Sequence, residues 1–186
     1  MKKLDEVQRI VDRALGHKDG VVFENDRFVI KKTHDGYEYV HEKKNEGRLV
    51  AIVPYDSKNP GKYLVRMEPC PAHGGKMGMY AVGGSVDIGE DVVVAAAREM
   101  YEETGYKALA ERMVQTNTFF PFKSADSVYY VYAYDVSGMN QEKPPGDGSA
   151  FEEMGHPRWA TEEEILKESK DSVLVGAVYS LKMMGK

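Results

Sequence analysis

One segment, from Gly84 to Tyr106, constrains this chain more than any other part of its sequence. It holds specified residues at seven positions of fixed spacing: Gly84, Glu90, Arg98, Glu99, Glu102, Glu103 and Gly105. With each residue type at a usage of roughly 6–7%, chance produces this pattern about once in 10⁸ starting positions. A charged, solvated helix face would explain the acidic residues, but not the placement of the two glycines or of Glu90. The segment therefore predicts a glycine loop followed by a helix that carries a functional site.

The helix is predicted to run from Glu90 to about Thr104. Gly89 interrupts the preceding segment, and Gly105 supplies a C-terminal stop. Acidic residues at positions 90 and 91 suit the positive end of the helix dipole. The valines and alanines at 92–97 give the helix an apolar surface that can pack against a sheet.

Three carboxylates share one face of this helix. Glu99, Glu102 and Glu103 lie at positions i, i+3 and i+4, so their side chains are neighbours. Like charges at this spacing destabilise a helix unless they are neutralised. Arg98 can pair with one carboxylate, and Glu90, two turns earlier, is its predicted partner. The remaining oxygens suit a hard cation such as Mg²⁺ or Mn²⁺, which predicts a metal site.

A short apolar strand at 79–82 leads into a glycine-rich loop at 83–89, where the backbone can approach a ligand closely. The loop is not a Walker phosphate loop, because no Gly-Lys-Ser/Thr follows it. It also lacks the Gly-x-Gly-x-x-Gly fingerprint of dinucleotide-binding loops. Loop and helix therefore form a unit of another kind.

This spacing resembles the signature of the Nudix hydrolase family. The metal ligands implied by the resemblance are the backbone carbonyl of Gly83 and the carboxylates of Glu99, Glu102 and Glu103. Glu90 and Arg98 would orient these ligands, so the implied catalytic residues on the helix are Glu90, Arg98 and Glu102. Bound metals would polarise a diphosphate and help to generate hydroxide from water. The implied reaction is hydrolysis of a nucleoside diphosphate linked to another moiety.

Features outside the signature resemble the ADP-ribose pyrophosphatase branch of the family. A proline about fifteen residues past the signature marks that branch, and Pro121 stands at this distance from Tyr106. Phe119 and Phe120, beside it, are predicted to stack on adenine, with packing at a strand end as the alternative. Arg66 follows a strand, like an arginine of that branch that contacts substrate phosphates. A guanidinium fits a diphosphate well, and a surface ion pair is the alternative.

The general base in that branch often comes from a glutamate on a flexible loop late in the domain. Glu153 is predicted to be this base, because it follows a glycine-rich loop and precedes Trp159. Glu142, in the same loop, is the reserve candidate. A carboxylate aimed at a metal-bound water could accept its proton, whereas a solvated loop glutamate is the alternative reading.

Composition limits the classes of function. The length of 186 residues and the hydrophobic content of 42% suit one domain with a sizeable core. A net charge of −5 argues against nucleic-acid binding through a basic surface. Cys70 is the only cysteine, which excludes an intrachain disulfide and favours the cytoplasm. We expect no signal peptide and no membrane span, because no apolar run approaches the roughly 20 residues that a span needs.

The order of the predicted elements gives an α/β fold. An amphipathic helix at 4–15 precedes short strands, and 68–77 is predicted to be a loop. The predicted strands are 21–24, 27–32, 37–42, 49–53, 62–67, 108–120, 127–136 and 156–160, and helices are predicted to begin at Thr161 and Ser172. This matches the Nudix α/β/α sandwich with a mixed sheet. By resemblance, residues 1–47 form an N-terminal helix and antiparallel strands that build a homodimer, and residues 48–186 form the Nudix domain.

The leading functional hypothesis is a Mg²⁺-dependent Nudix pyrophosphatase. It would cleave ADP-ribose or a related nucleotide sugar to a nucleoside monophosphate and a sugar phosphate, with Mn²⁺ as the alternative metal. Other substrates in the same class are dinucleotides (NADH, FAD or diadenosine polyphosphates) and nucleoside triphosphates. A different class is a non-catalytic sensor that binds ADP-ribose. Such sensors usually lose signature glutamates, whereas this chain has all of them.

Overall fold

The computed structural model describes residues 20–146, 148 and 154–185. The predicted helix at 4–15 and the predicted base Glu153 lie outside the described residues. The strands are β1 (Gly20–Glu24), β2 (Phe28–Lys32), β3 (Glu38–Glu42), β4 (Arg48–Tyr55), β5 (Lys62–Cys70), β6 (Lys76–Tyr80), β7 (Val82–Ser85), β8 (Val114–Phe119), β9 (Val128–Asp135) and β10 (His156–Thr161). The helices that lie wholly within the described residues are α1 (Val92–Thr104), α2 (Glu162–Glu168) and α3 (Ser172–Met183).

Seven strands form one mixed sheet that lies between helices. Its order is β10-β5-β4-β9-β8, with β6 beside β5 and β7 beside β4. The central strands β4 and β9 are parallel, and the other pairs are antiparallel. Helix α1 packs on one face and α3 on the other. The predicted α/β class, with a mixed sheet between helices, is confirmed.

The central strand β4 shows why the sheet needs cover on both faces. Val50 and Ile52 point into the cluster under α1, and Ala51 and Val53 point into the cluster under α3. All four side chains are at most 1% exposed. Because neighbouring residues of a strand face opposite sides, a strand covered on both faces reads as an unbroken apolar run. Burying a side chain the size of Val or Ile contributes about 1.5–3 kcal/mol.

The predicted loop at 68–77 is wrong, because most of this segment belongs to a β-hairpin. Strand β5 continues to Cys70, a short 3-10 turn occupies Pro71–His73, and β6 begins at Lys76. The antiparallel register pairs Cys70 with Lys76 and Arg66 with Tyr80. The prolines and glycines that predict a long loop are largely confined to the short turn between the two strands. A second 3-10 turn at Ala110–Arg112 likewise interrupts the predicted extended segment 108–120.

The C-terminal helices begin where the sequence indicates. The Thr161 hydroxyl accepts a hydrogen bond from the Glu164 N–H, and the Glu164 carboxylate accepts one from the Thr161 N–H. This is the predicted capping box, which satisfies two backbone donors at the start of α2. Helix α3 then buries Leu174, Val178 and Leu181 against the sheet.

The first three strands form a separate antiparallel sheet of order β1-β2-β3. It contacts the larger fold through the segment 123–126: the Val40 N–H donates to the Ser124 carbonyl at 2.9 Å, and His41 Nδ1 lies 2.8 Å from an Asp126 carboxylate oxygen. Strand β1 is exposed along its whole length, including Val21 and Phe23. The division of the chain near residue 47 into two units stays a prediction. None of the helices in the described part of the chain combines the length and apolar character that a bilayer crossing needs.

Candidate active site

Gly83 and Gly84 lie in strand β7 rather than in the predicted loop at 83–89, and β7 is fixed by its contact with the central strand. Strand β7 pairs with β4, which places Gly83 opposite Ala51 and Gly84 opposite Val50. A Cβ atom on Gly83 would lie 2.1 Å from the Val50 carbonyl oxygen, so only glycine fits at this position. Asp91 then caps α1, because its carboxylate accepts a hydrogen bond of 2.9 Å from the Val93 N–H.

The two glycines lie directly against the signature glutamates. A Cβ atom on Gly84 would lie 2.5 Å from a carboxylate oxygen of Glu99, so the missing side chain leaves room for this carboxyl group. The Gly83 N–H donates to Glu103 Oε2 at 2.7 Å. The paired glycines therefore allow two glutamates of α1 to reach the backbone of β7.

Arg98 connects the acidic side chains of the site. Its Nε and Nη2 atoms lie 3.1 and 2.9 Å from the two carboxylate oxygens of Glu90, so the predicted pair is formed as a bidentate contact. Its Nη1 atom lies 2.8 Å from Glu99 Oε1 and 3.0 Å from Glu102 Oε2. Hydrogen bonds from Arg98 lower the pKa of Glu90, and the surrounding carboxylates, Glu90 foremost, raise the pKa of Arg98.

Glu103 is the most deeply buried acid of the site. Burial raises the pKa of Glu103 well above its ordinary value, and the nearby charges of Glu99 and Glu68 add to the rise. The Gly83 N–H and Arg66 act in the opposite direction. Burial thus favours the neutral form of this carboxyl group more than its neighbours favour the charged form.

The donor set of the site fits a hard divalent cation. It offers carboxylate and backbone oxygens, which are the ligands that Mg²⁺ and Mn²⁺ prefer. A cation bound here would favour the charged form of Glu103 and would offset its repulsion from Glu99. Within the described ranges, no three His, Cys, Asp or Glu side chains are already gathered at metal-binding distance. Instead, the Arg98 guanidinium lies between Glu99 and Glu102.

The C-terminal end of α1 is held by two other parts of the chain. Its last carbonyl groups have no partner within the helix, and each must find one elsewhere. The partners are the Gly146 N–H for the Glu102 carbonyl (3.0 Å), Arg66 Nη1 for Glu103 (3.1 Å), Gln141 Nε2 for Thr104 (2.8 Å) and the Glu142 N–H for Gly105 (3.0 Å). Three of these four donors belong to residues 139–146, which we call the strap. Sequence reasoning missed the strap, because backbone donors carry no residue-type signal.

Arg66 lies inside this arrangement. Its side chain is 3% exposed, and its Nε atom lies 3.8 Å from Glu103 Oε1 and 3.7 Å from Glu68 Oε2. A Cβ atom on Gly155 would lie 2.6 Å from Arg66 Nη2, so the start of β10 also packs on the guanidinium. The predicted contact of Arg66 with substrate phosphates stays a prediction, and the structure adds a role in holding the end of α1.

A cavity of about 560 Å³ opens beside the signature helix. Its walls include Arg66, Glu102, strap residues 143–146 and residues 155–157 at the start of β10. A second cavity of about 600 Å³ lies past the end of α1, between Tyr106, Trp159 and the turn at 56–62. The first cavity is the candidate substrate site, because Glu102 is part of its wall.

Other predicted site residues lie apart from this cavity. Phe119 packs against Gly176 of α3, on the face of the sheet opposite α1, and its strand β8 stands three places from β5. Phe120 is 72% exposed, and Pro121 follows it in the turn after β8. None of these three is among the described residues that line the cavity. Their stacking on adenine therefore stays a prediction.

The reserve base Glu142 is bound on the outer side of the strap. Its carboxylate accepts hydrogen bonds from Lys107 Nζ at 2.8 Å and from the Tyr101 hydroxyl at 3.1 Å. These contacts, Lys107 foremost, lower the pKa of Glu142. Glu142 is also not among the described cavity residues, so its position does not favour a role as the base.

Comparison with known proteins places these observations in a family. The NUDIX domain model matches residues 46–176. Two proteins named Phosphatase NudJ, from Shigella boydii serotype 4 (strain Sb227) and Shigella sonnei (strain Ss046), are each 28% identical over 109 residues. The matched region is 59% of this chain and 66% of each relative, just under two thirds of their length.

A crystal structure of an ADP compounds hydrolase shares the fold. It superposes with a TM-score of 0.68 over 90% of this chain and 91% of that chain, at 17% sequence identity. The family model extends from the turn before β4 into α3, and it includes the glycine loop and every signature glutamate on α1. The chain belongs to the Nudix family.

Proposed function

We propose that this chain hydrolyses the diphosphate of ADP-ribose or of a related nucleoside diphosphate sugar. The products would be a nucleoside monophosphate and a sugar phosphate. The observation that carries the proposal is the packing of Glu99 and Glu103 against Gly83 and Gly84, with Glu102 in the wall of the adjoining cavity. Family membership and the shared fold of an ADP compounds hydrolase support the same class of reaction.

The metal that we propose is Mg²⁺, with Mn²⁺ as the alternative. The ligands would be the Gly83 carbonyl and the carboxylates of Glu99, Glu102 and Glu103. When bound, such a cation supplies charge neutralisation for the diphosphate and a bound water of lowered pKa.

The residues around these ligands hold them in place. Glu90 binds one edge of the Arg98 guanidinium, and the other edge reaches Glu99 and Glu102. Arg98 also donates to the Ser85 carbonyl at 2.9 Å, which ties the helix to the end of β7. In our proposal these contacts orient the carboxylates of Glu99 and Glu102 next to the end of β7.

The attacking water must lose its proton to a base. We retain Glu153 as the proposed base, on the basis of its position in the sequence between the strap and β10. It lies outside the described residues. The proton would pass from the water to its carboxylate as the oxygen–phosphorus bond forms and the diphosphate bond breaks.

The competing class is a non-catalytic ADP-ribose sensor, and the competing substrates are dinucleotides and nucleoside triphosphates. The purified protein should be incubated with Mg²⁺ and a panel of ADP-ribose, nucleotide sugars, NADH, FAD, diadenosine polyphosphates and nucleoside triphosphates. We expect AMP and ribose phosphate to form fastest from ADP-ribose, as resolved by chromatography. Faster cleavage of another compound would reject the substrate, and binding of ADP-ribose without any turnover would favour the sensor.

We also propose that the sheet of β1–β3 forms a homodimer interface. Strand β1 is an edge strand, and Val21 and Phe23 are 61% and 53% exposed. Exposed apolar edge strands tend to pair with another chain. Light scattering should give twice the 20.9 kDa chain mass for the wild type and one chain mass for V21K/F23K. The control Tyr179→Lys, at an exposed aromatic position on α3, should stay dimeric, and a monomeric wild type would reject the proposal.

A further inference from the structure

We propose that Lys143 and His156 form a binding pair for the phosphate groups of the substrate, in the cavity that Glu102 borders. Lys143 would supply the positive charge, and the His156 imidazole would supply a hydrogen-bond donor. The ligand class is a nucleoside diphosphate joined to a second group. This inference deepens the proposed function and rests on it.

The charge balance of the site calls for further groups that can bind an anion. An anionic substrate must approach a surface that carries several carboxylates on α1. Both nearby arginines are already committed to protein groups: Arg98 contacts three glutamates, and Arg66 is buried against Glu103 and Glu68. A diphosphate therefore needs further cationic or donor groups besides a bound metal.

Lys143 and His156 are the cavity residues that can meet this need. Both line the cavity, and both side chains are exposed. In the part of the chain that the structure describes, neither takes part in an ion pair with Asp or Glu within 4.0 Å. A ligand could therefore bind their polar groups without displacing an ion pair among the described residues.

The backbone on both sides of Lys143 is fixed to α1. On one side, the Glu142 N–H is bound to the Gly105 carbonyl, and on the other, the Gly146 N–H is bound to the Glu102 carbonyl. Two prolines, at 144 and 145, further restrict the chain between these contacts. Lys143 therefore lies on a segment of restricted backbone. This segment is bound to the backbone of Glu102, a proposed metal ligand. A held segment loses less conformational freedom when a ligand binds.

His156 is held in the wall of the same cavity by the sheet. It is the first residue of β10 and pairs with Met67 of β5, while its neighbour Pro157 pairs with Arg66. Gly155, just before it, has no side chain and packs on the Arg66 guanidinium. The strap and the start of β10 therefore place both members of the pair on the walls of the same cavity.

The test compares Lys143→Gln and His156→Gln with a matched control, Lys58→Gln. Lys58 lines the second cavity, so this control shows whether the loss of any nearby lysine would weaken binding. Two quantities should be measured: kcat and KM for the best substrate with Mg²⁺, and the Kd of the α,β-methylene analogue of ADP-ribose by calorimetry. Thermal melting should confirm folding, which we expect because both residues are exposed.

We expect Lys143→Gln and His156→Gln each to raise KM and Kd by about tenfold to a hundredfold. This is the effect expected when one charge-assisted hydrogen bond to the substrate is lost. The value of kcat should change much less, because the pair binds substrate without touching the reacting water. Lys143→Arg should recover most of the affinity, and Lys58→Gln should bind like the wild type.

Two results would overturn the inference alone. One is that Lys143→Gln and His156→Gln both keep the wild-type KM and Kd. The other is that Lys58→Gln loses as much affinity as they do. A wild type that neither cleaves nor binds any compound of the panel would reject both the inference and the proposed function.

Discussion

Glu102→Gln is expected to lower metal-dependent turnover by about 10²–10³-fold or more while the protein stays folded. The change keeps the shape of the side chain but removes a negative charge that we assign to the metal site. The variant should still fold, because the Glu102 side chain is 23% exposed. The glutamine oxygen can also still accept the hydrogen bond that Arg98 donates at 3.0 Å. The measurement is kcat at saturating Mg²⁺, with the melting temperature measured on the same preparation.

Glu163→Gln serves as the control, since Glu163 lies on α2, away from the site, and takes part in no described salt bridge. It should keep wild-type turnover. If Glu102→Gln also keeps wild-type turnover, the assignment of the signature face as the metal site is lost. Electron paramagnetic resonance of bound Mn²⁺ gives an independent readout, because the variant should bind this ion more weakly.

Glu103→Gln should also remove turnover, but its effect on stability should differ. Burial raises the folded-state pKa of Glu103 well above its ordinary value of 4.5. The folded, metal-free protein therefore holds this proton more tightly than the unfolded chain does. The contribution of Glu103 to stability is then lost as the pH rises from about 4.5 toward the raised pKa. In EDTA, denaturant unfolding should show a smaller loss of stability between pH 5 and pH 8 for the glutamine variant than for the wild type.

The signature could be predicted from the sequence because its contacts are local. Helical spacing alone brings Glu99, Glu102 and Glu103 to one face. Glu90 lies just before α1 and reaches Arg98 from the loop. The capping box of α2 is local in the same sense, and the sequence indicated it correctly. The mixed sheet followed from apolar runs that mark strands buried on both faces.

Contacts between distant segments could not be predicted in this way. The strap reaches α1 mainly through backbone groups, which any residue could supply. A phenylalanine at the end of a strand gives the same sequence pattern whether it packs in the core or stacks on a ligand. In the structure, the Phe119 ring packs against Gly176 of α3, a contact between distant parts of the sequence. The sequence places Arg66 after a strand, whereas it lies within β5, and the sequence does not indicate that Gly155, far away in the chain, packs on its guanidinium.

Gly105→Ala is expected to destabilise the protein by about 2–4 kcal/mol, the largest effect on stability that we expect from a single methyl group. Gly105 has a φ of 76°, which alanine adopts only with strain, and its Cβ atom would lie 2.0 Å from the Glu142 carbonyl oxygen. The strap must move away, and the helix carbonyls that it covers lose their donors. Urea unfolding at neutral pH measures the change, and KM should rise because Lys143 moves with the strap.

Gly61→Ala is the matched control for this prediction. Gly61 has a similar φ of 85°, but nothing lies within 4 Å of its added Cβ atom. Its cost should therefore contain only the backbone contribution, about 1 kcal/mol, without any effect on KM. The difference between the two variants isolates the packing of the strap against α1. If Gly105→Ala costs no more than Gly61→Ala, the strap is not held against the helix, and the fixed position of Lys143 is lost with it.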